Sequence, residues 1–377
     1  MSQTRPISAV VLAAGEGTRM RSECPKPLHP LCGRPMVLHV LHAVAELELS
    51  RAVVVVGHGA ERVTKAVAEQ PPVGLHLDFV EQRVQRGTGD AVSVALTAFP
   101  DDDLDDGDII VLPGDTPLLR PPTLAALVRA HRAADAAATV MTARVVDPTG
   151  YGRVVRDKGG RVARIVEQAD ATPEELAVDE INTSIYIFRR SVMAPALRRL
   201  VPDNAQGEYY LTDVVAVLHD AGYPVTSLVV EDSMEAAGVN DRAQLAVAEA
   251  ELRDRINERW MRRGVTMVDP EHTYVDTTVM LAADVTLYPG TYLQGATVVD
   301  AGAELGPDTQ LEDCEIGARA VVSATVGRLA HVGADAVVGP WAYLGPGARV
   351  APGQVTGPCF TGSTDDLEGP IDPSSGR

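Results

Sequence analysis

Aromatic side chains, cysteines and long apolar runs are all scarce in this chain. Aromatic residues make up 4% of its 377 residues, so the interior must be built mainly from aliphatic side chains. The four cysteines form no Cys-x-x-Cys pair and have no cluster of histidines beside them, which argues against a zinc site and a disulfide scaffold. No segment approaches the roughly 18 apolar residues that a membrane-spanning helix requires.

Basic residues are few relative to acidic ones, 33 against 52, and the net charge is -19. Such a surface repels nucleic acid and anionic lipid, so neither is an expected partner. The short apolar stretch before Gly15 is typical of a buried strand rather than a signal peptide, and we expect a cytoplasmic protein. A phosphorylated ligand must then meet a local cluster of Arg and Lys, or a divalent metal. The acidic run Asp101 to Asp106 is expected to be a solvated loop.

Strand and helix patterns alternate through residues 1–240. The expected strands are Ile7 to Ala14, Ala52 to Val56, Leu75 to Val80, Asp108 to Leu112 and Thr139 to Ala143. The expected helices are Pro35 to Leu47, Glu61 to Ala68 and Thr123 to Ala134. This alternation predicts an α/β domain with a mostly parallel sheet and helices on both faces. Ligands of such sheets bind beyond the carboxyl ends of the strands.

The pattern changes after a charged helical segment, Ala243 through Trp260, which predicts a linker helix over 241–264. An aliphatic residue followed by a small one then recurs every six residues: Val332-Gly333, Val338-Gly339, Leu344-Gly345 and Val350-Ala351. Leu305-Gly306 and Ile316-Gly317 fit this pattern, and Val279 and Val285 are also six apart. The period predicts a left-handed parallel β-helix over 265–355, and the Gly-, Pro- and Ser-rich residues 356–377 are expected to be a disordered tail.

The segment from Leu12 to Met20 runs from a strand into a glycine-rich turn and carries Arg19, and Pro25-Lys26-Pro27 follows it. Glycines let backbone N–H groups approach phosphate oxygens, and Arg19 and Lys26 supply positive charge. The spacing fits neither the Walker A nor the Rossmann fingerprint.

Two further groups of residues follow strands of the predicted sheet. Asp115, in Leu-Pro-Gly-Asp-Thr-Pro-Leu, is well placed to hold Mg²⁺, although it could instead cap the next helix. Gln82 with Arg86-Gly87-Thr88-Gly89 suits recognition of a planar base edge, although a simple turn explains it equally well.

Further motifs follow in order: Thr149-Gly150-Tyr151-Gly152-Arg153, Ile165-Val166-Glu167, Glu180-Ile181-Asn182-Thr183, Asn204-Ala205-Gln206-Gly207-Glu208-Tyr209-Tyr210 and Gly238-Val239-Asn240. Together with the segments above, they resemble the bacterial bifunctional enzymes that are N-acetylglucosamine-1-phosphate uridylyltransferases and glucosamine-1-phosphate acetyltransferases. The resemblance covers residues 5 to 355 or so and includes the hexapeptide repeat. It implies a Rossmann-like nucleotide-diphospho-sugar transferase domain followed by the β-helix.

The resemblance implies a role for each matching residue. Leu12, Ala13, Ala14 and Gly15 would line the nucleotide, Arg19 and Lys26 would lie near its phosphates, and Gln82, Gly87 and Thr88 would read uracil. Asp115 and Asn240 would hold a catalytic Mg²⁺, and Gly152, Glu167, Asn182 and Asn240 would contact the sugar. The implied reaction joins UTP and N-acetylglucosamine 1-phosphate for cell-wall precursor synthesis. Such enzymes assemble as homotrimers through the β-helix.

The sequence departs from the family at several positions. Pro113 replaces a residue with a hydroxyl, and Ser184 replaces a common glycine, so another sugar 1-phosphate or dTTP stays open as a substrate. Gly345 stands where the family has a sugar-phosphate-binding Arg, and the later coils of the acetyltransferase site are missing. His331 is expected to be a surface residue of a coil, so acetyltransferase activity is expected to be absent. A non-catalytic trimeric scaffold with a vestigial pocket is the alternative of another class.

Overall fold

The protein is described by a computed structural model that covers residues 5–49, 51–99 and 107–363. The chain divides into two compact units. The first comprises Met1–His29 and Pro35–Leu245, and the second comprises Pro30–Arg34 and Ala246–Arg377. The acidic run Asp101 to Asp106 and the tail beyond residue 363 lie outside the described residues.

The first eleven strands are β1 (Ile7–Ala13), β2 (Pro30–Leu31), β3 (Arg34–Pro35), β4 (Arg51–Val56), β5 (Leu77–Glu81), β6 (Asp108–Pro113), β7 (Ala138–Arg144), β8 (Arg153–Arg156), β9 (Val162–Val166), β10 (Glu180–Arg189) and β11 (Val225–Val230). The helices are α1 (Met36–Ala45), α2 (Ala60–Glu69), α3 (Thr88–Leu96), α4 (Pro121–Ala133), α5 (Pro173–Leu176), α6 (Arg190–Leu197), α7 (Asp213–Asp220) and α8 (Arg242–Met261). Every strand and helix expected from the sequence is present, with ends shifted by a few residues. None of the described helices is long and apolar enough to cross a membrane.

The main sheet of the first unit has the strand order β11-β7-β10-β6-β1-β4-β5, with β8 and β9 joined to it through β10. Strands β1, β4, β5 and β6 are parallel, as are β7 and β11, which confirms the mostly parallel sheet. Strand β10 was not expected. It runs antiparallel to β6 and β7, and its almost continuous burial gives no alternating pattern that would reveal it in the sequence.

Alternation along β1 sends its side chains to two cores, one on each face of the sheet. Val11 packs in a cluster with residues of α1, α2 and α4, and Val10 packs in a cluster with residues of α3, α6 and α7. Both valines are fully buried. Because both faces are covered by helices, the carboxyl ends of the central strands are the part of the sheet left for a ligand.

The second unit contains the remaining strands: β12 (Thr266–Met267), β13 (Thr273–Val275), β14 (Met280–Leu281), β15 (Thr286–Leu287), β16 (Thr291–Gln294), β17 (Val298–Val299), β18 (Glu304–Leu305), β19 (Gln310–Glu312), β20 (Glu315–Ile316), β21 (Val321–Val322), β22 (Val326–Arg328), β23 (His331–Val332), β24 (Val337–Val338), β25 (Tyr343–Leu344), β26 (Arg349–Val350) and β27 (Thr361–Gly362). In the described residues they form three parallel sheets, β12-β15-β18-β21-β24, β13-β16-β19-β22-β25-β27 and β14-β17-β20-β23-β26. This is the expected left-handed β-helix.

Two columns of inward side chains fill the coils. The aliphatic column includes Leu287, Leu293, Val299, Leu305 and Leu311, none more than 1% exposed. The second column, two residues earlier in each step, holds small buried side chains, including Val279, Val285, Thr291, Thr297, Ala303, Thr309, Ala336, Ala342 and Ala348. The aliphatic–glycine signature missed much of the first column, because Tyr288, Gln294, Asp300 and Glu312 follow its members instead of glycine.

The period of six is interrupted where Gly327 takes a core position in register with Leu311 and Leu344. A Cβ atom on Gly327 would lie 2.9 Å from Cδ2 of Leu311 and 3.4 Å from Sγ of Cys314. These two side chains fill the volume that an aliphatic residue takes elsewhere. His331 lies at the outward position of β23 with its side chain 44% exposed, as expected for a surface residue.

The repeat continues past its expected end. Strand β27 pairs with β25 through Tyr343↔Thr361 and Leu344↔Gly362, and Val355 bridges Val337. The expected boundary at residue 355 is therefore too early. The sequence just beyond residue 355 predicts a tail, because Gly357, Pro358 and Gly362 interrupt the six-residue apolar period. Backbone pairing with an existing sheet does not require that period, so β27 forms without it.

The hairpin of β2 and β3 belongs largely to the second unit, although it lies early in the chain. The backbone N–H of Cys32 donates to both carboxylate oxygens of Glu249 on α8, at 3.2 and 3.0 Å. Gly33, at φ +78°, lies so close to Asp276 that a Cβ would be 2.3 Å from its Oδ2. Burial and the neighbouring Glu249 carboxylate raise the pKa of the Cys32 thiol far above its ordinary value.

The adjacent residues Val298 and Val299 test which side chains of the β-helix point into its core. Val299 is 1% exposed and Val298 is 41% exposed. We expect Val299→Ala to lower the free energy of unfolding of the second unit by about 2–3 kcal/mol, because it removes buried methyl groups and leaves a cavity. Val298→Ala should cost less than about 0.5 kcal/mol.

Tryptophan fluorescence during urea unfolding measures both effects. The two tryptophans of the chain, Trp260 and Trp341, both lie in the second unit, so the signal reports that unit. Equal losses in the two variants would contradict the alternation of inward and outward residues.

Candidate active site

A cavity of about 460 Å³ opens at the carboxyl ends of the central strands of the first unit. The predicted site residues among its lining are Leu12, Ala14, Gly15, Arg19, Gln82, Gly87, Thr88, Asp115, Asn182 and Asn240. Four other predicted residues, Ala13, Lys26, Gly152 and Glu167, do not line the cavity. The side chain of Ala13 packs in the core on one face of the sheet, and its backbone lies in register with Val56 of β4.

Strand order arranges the lining residues across the cavity. Gln82 follows the edge strand β5, Gly15 follows β1, Asp115 follows β6, and Asn182 lies on β10. Because the spatial order is β10-β6-β1-β4-β5, Gln82 and Asn182 lie on opposite sides of the pair Gly15 and Asp115. The cavity therefore has two ends with a charged centre between them.

The two glycines after β1 serve different purposes. A Cβ on Gly15 would meet no atom within 4 Å, so this part of the turn faces open space. Gly17 has φ +65°, and a Cβ there would lie 2.5 Å from Cβ of Lys26. Gly17 is therefore needed so that Lys26 can pack against the turn, before the 3-10 helix Thr18–Met20 begins.

The charged centre joins two cations to two oxygen ligands. Nζ of Lys26 donates to Oδ2 of Asp115, and also to Oδ1 of Asn240 at 2.8 Å. Arg19 donates to the same Asn240 oxygen at 3.0 Å. The backbone N–H of Val239 donates to the carbonyl of Asp115 at 2.9 Å and holds the Asn240 segment beside β6. Residues far apart in sequence thus meet at one point.

A carboxylate and an amide oxygen on the same cation are the donor set that a divalent metal takes together with substrate phosphates. Among the described residues, this centre included, no group of three or more His, Cys, Asp or Glu side chains is arranged to hold a metal ion, so substrate phosphates would have to supply the remaining ligands. The alternative that Asp115 caps the next helix is wrong, because α4 begins after Arg120 and has no side-chain cap.

The turn after β5 holds Gln82 in a fixed orientation. Its Nε2 donates to the carbonyl of Gly87 at 3.1 Å and to Oδ2 of Asp90 at 2.8 Å, which leaves Oε1 as the acceptor that the side chain presents. Oγ1 of Thr88 accepts from the backbone N–H of Leu211 at 3.0 Å. The turn therefore does more than reverse the chain, because it fixes the orientation of Gln82 and contacts the segment at Leu211.

Close packing explains the glycine of this turn. Gly87 has φ +103°, and a Cβ on it would lie 2.6 Å from the carbonyl oxygen of Tyr209. Tyr209 also exchanges backbone hydrogen bonds with this turn, accepting from Gly89 at 2.8 Å and donating to Arg86 at 2.8 Å. The segment before α7 therefore forms one wall of the cavity, and it brings Glu208 into the lining.

Sequence reasoning missed Gln85 and Tyr151, which also line the cavity. Nε2 of Gln85 donates to the carbonyl of Ala14 at 2.7 Å and links the β5 turn to the glycine-rich turn. Burial and the Asp115 carboxylate raise the pKa of Tyr151. Tyr151 belongs to the motif Thr149-Gly150-Tyr151-Gly152-Arg153, but nothing in the sequence indicates that its side chain, rather than a neighbouring one, lines the cavity.

The Asn182 end is built from three strands. The backbone N–H of Asn182 donates to the carbonyl of Gly152 at 2.9 Å, and Gly152 leaves room for Glu167, whose Oε2 would lie 3.3 Å from a Cβ there. Oε1 of Glu167 accepts from Thr212 at 3.2 Å. Burial, together with the nearby carboxylates of Asp213 and Asp170, raises the pKa of Glu167, and the Thr212 hydrogen bond partly opposes this.

The chain is similar to known proteins along most of its length. The model of the nucleotidyl transferase family matches residues 8–261. The bifunctional protein GlmU of Thermobifida fusca is 51% identical over 334 residues, which is 88% of this chain and 68% of that protein. The bifunctional protein GlmU of Mycolicibacterium vanbaalenii is 48% identical over 88% of this chain and 67% of its own length.

The bifunctional protein GlmU of Desulfitobacterium hafniense is 46% identical over 86% of this chain and 70% of its own length. The chain thus spans about two thirds of the length of these relatives. The family match covers β1 through α8, which includes every residue of the cavity. The chain therefore belongs to the nucleotidyl transferase family and, within it, to the GlmU proteins.

Proposed function

We propose that the chain is a uridylyltransferase that converts UTP and N-acetylglucosamine 1-phosphate to UDP-N-acetylglucosamine and pyrophosphate, for cell-wall precursor synthesis in the cytoplasm. The observation that carries the proposal is the convergence of Arg19, Lys26, Asp115 and Asn240 at one point. All of them except Lys26 line the cavity, and Lys26 contacts two of the lining residues from behind. A pocket with two cations and two metal-type oxygens suits a triphosphate, whose charge must be neutralised when it reacts.

The cavity has room for the two substrates on either side of this centre. The nucleoside is assigned to the Gln82 end, where Leu12, Ala14 and Gly15 offer backbone groups and Gly87 and Thr88 form the turn. The acceptor Oε1 of Gln82 suits the N3–H donor of uracil. The sugar is assigned to the other end, near Gly152, Glu167 and Asn182. The transferred phosphorus then lies between them.

Mg²⁺ is the metal that we assign to Asp115 and Asn240, because one carboxylate, one amide oxygen and substrate phosphates make up a typical magnesium site. When bound, the ion would neutralise charge on the triphosphate and polarise the phosphorus that is attacked. The chain's own cations act alongside it. Lys26 and Arg19 hold phosphate oxygens by charge-assisted hydrogen bonds and keep the leaving pyrophosphate in position.

The chemistry needs little beyond positioning. A phosphate oxygen of the sugar 1-phosphate forms a bond to the α-phosphorus of UTP while the bond from that phosphorus to the bridging oxygen of pyrophosphate breaks. The attacking oxygen is already ionised at neutral pH, so no general base is required and no covalent enzyme intermediate forms. Binding two anions in line, in a site that screens their repulsion, accounts for the rate enhancement.

Two other functions are weighed against this one. An enzyme that takes dTTP or another sugar 1-phosphate is motivated by Pro113 and Ser184, which both line the cavity. A non-catalytic scaffold is disfavoured, because a pocket without chemistry has no physical need to bring Arg19, Lys26 and Asp115 together. A panel of nucleotides and sugar phosphates, scored by pyrophosphate release, separates all three.

The second unit raises two further proposals. Trimer formation through the β-helix is supported by exposed apolar side chains on its later coils, namely Val326, Leu329, Val337, Trp341, Tyr343 and Val355. The native mass of the chain tests it. Absence of acetyl transfer by the chain as given is supported by Gly345 at a position where the resemblance calls for Arg. Turnover of acetyl-CoA with glucosamine 1-phosphate would contradict it.

Asp115→Asn tests the metal role and the reaction together. We expect pyrophosphate release from UTP, N-acetylglucosamine 1-phosphate and Mg²⁺ to fall by about 10²–10³ in kcat/KM, because the site loses the charge that holds the metal. Asp254→Asn, on the exposed face of α8, changes the net charge equally and should keep full activity. Unchanged release in the Asp115 variant would remove the metal role. No release by the unaltered protein would remove the proposed reaction.

Gln82→Ala tests recognition of the base. We expect KM for UTP to rise roughly 10-fold or more, since a hydrogen bond to a buried polar group is lost and Asp90 loses its partner. KM for the sugar 1-phosphate should stay within twofold, because that substrate binds on the other side of Asp115. Steady-state kinetics with each substrate varied in turn gives both constants. A rise confined to the sugar phosphate would reverse the assignment of the two ends.

A further inference from the structure

Strand β10 carries a bulge beside the cavity. Asn182 pairs with Thr142 of β7, and the next pair along the ladder is Tyr186 with Val140, so the register shifts between them. Three residues of β10 therefore stand opposite one residue of β7. Asn182 and the first two residues of this irregular stretch, Thr183 and Ser184, all line the cavity.

The side chains of Asn182 and Thr183 make hydrogen bonds within the fold. Asn182 donates from Nδ2 to the hydroxyl of Tyr186 at 2.7 Å and accepts at Oδ1 from the backbone N–H of Ser184 at 3.1 Å. Thr183 donates to the carbonyl of Met141 at 2.7 Å. Both side chains are buried, whereas Ser184 is exposed and lines the cavity, and its side chain also hydrogen-bonds Tyr186.

The backbone of Ser184 lies in the left-handed region, at φ +61°. Residues with a Cβ adopt this region at a cost in stability, and glycine adopts it with little cost. Glycine would therefore suit the bulge better than serine as far as the fold is concerned. A strained residue that is exposed and lines a ligand cavity points to a role in binding.

We propose that the Ser184 hydroxyl hydrogen-bonds the sugar ring of the sugar 1-phosphate and helps to determine which sugar the enzyme accepts. This rests on the proposed function. The triphosphate is matched by the cations at the centre, and the base by Gln82 on the far side of β1 and β6. A neutral hydroxyl at the β10 end is suited to the hydroxyl and acetamido groups of a sugar, to which it can donate and from which it can accept.

A pair of variants separates the hydroxyl from the backbone strain. Ser184→Ala removes the hydroxyl and keeps the left-handed Cβ, whereas Ser184→Gly removes both. In both variants we expect KM for the sugar 1-phosphate to rise about three- to tenfold, as for the loss of one neutral hydrogen bond, with KM for UTP within twofold. Only Ser184→Gly should also raise Tm, by roughly 2–4 °C, because the strain is relieved.

Ala324→Gly is the matched control. Ala324 has φ +45° in the β-helix and is not among the residues that line the cavity, so this variant relieves strain of the same kind without changing the cavity lining. It should raise Tm and leave both KM values unchanged. Sugar phosphates that differ from N-acetylglucosamine 1-phosphate at one ring position then show which sugar group Ser184 contacts. When the altered group is the one that Ser184 contacts, Ser184→Ala should no longer change KM for that sugar phosphate.

The outcomes are distinguishable. If the unaltered enzyme releases pyrophosphate but Ser184→Ala keeps its KM for the sugar phosphate within twofold, the Ser184 role is overturned, whatever Ser184→Gly does. If KM for UTP rises instead, the hydroxyl serves the nucleotide and the proposal is equally overturned. If the unaltered enzyme releases no pyrophosphate with any sugar 1-phosphate, the proposed function itself fails.

Discussion

The contact of Lys26 with Asp115 and Asn240 is the interaction on which the candidate site depends. It draws together three segments that are far apart in sequence: the 3-10 helix Lys26–Leu28 between β1 and β2, the loop after β6 and the residues before α8. Its geometry depends on Gly17, since any larger residue there would meet the Lys26 side chain. A glycine outside the cavity lining thus determines where the Lys26 charge lies. The same centre separates the end assigned to the base from the end assigned to the sugar.

Much of the fold could be read from the sequence, because the strands around β1 are continuous apolar runs and the helices have clear apolar faces. The antiparallel strand β10 could not be read in this way, because it is buried on both faces and its sequence has no alternation of apolar and polar residues. The β-helix was recognisable from Val332 to Val350, where glycine or alanine follows each aliphatic residue. The column from Leu287 to Leu311 keeps the same spacing, but only Leu305 is followed by glycine, so backbone register rather than composition defines those coils.

The candidate site, like the fold, could be read from the sequence only in part. Gly15, Arg19, Asp115 and Asn240 stand in motifs whose chemistry can be argued from residue type, and the structure brings them into one cavity. Gln85 and Glu208 reach it only because the β5 turn and the segment before α7 are joined by backbone hydrogen bonds at Tyr209. No local pattern encodes such a contact. The roles of Gly152 and Glu167, which stand behind the lining, stay predictions.

The early hairpin around Cys32 limits how the two units can be separated experimentally. A fragment that ends with the first unit at Leu245 keeps Pro30–Arg34 but loses Glu249 and Asp276, the partners of Cys32 and Gly33. The N–H group of Cys32 would then have no carboxylate to bind, and a thiol that is normally buried and unreactive would meet solvent and oxidants. An isolated transferase unit would therefore be prone to disulfide-linked dimers, and replacing Cys32 by serine is the sensible first step in preparing one.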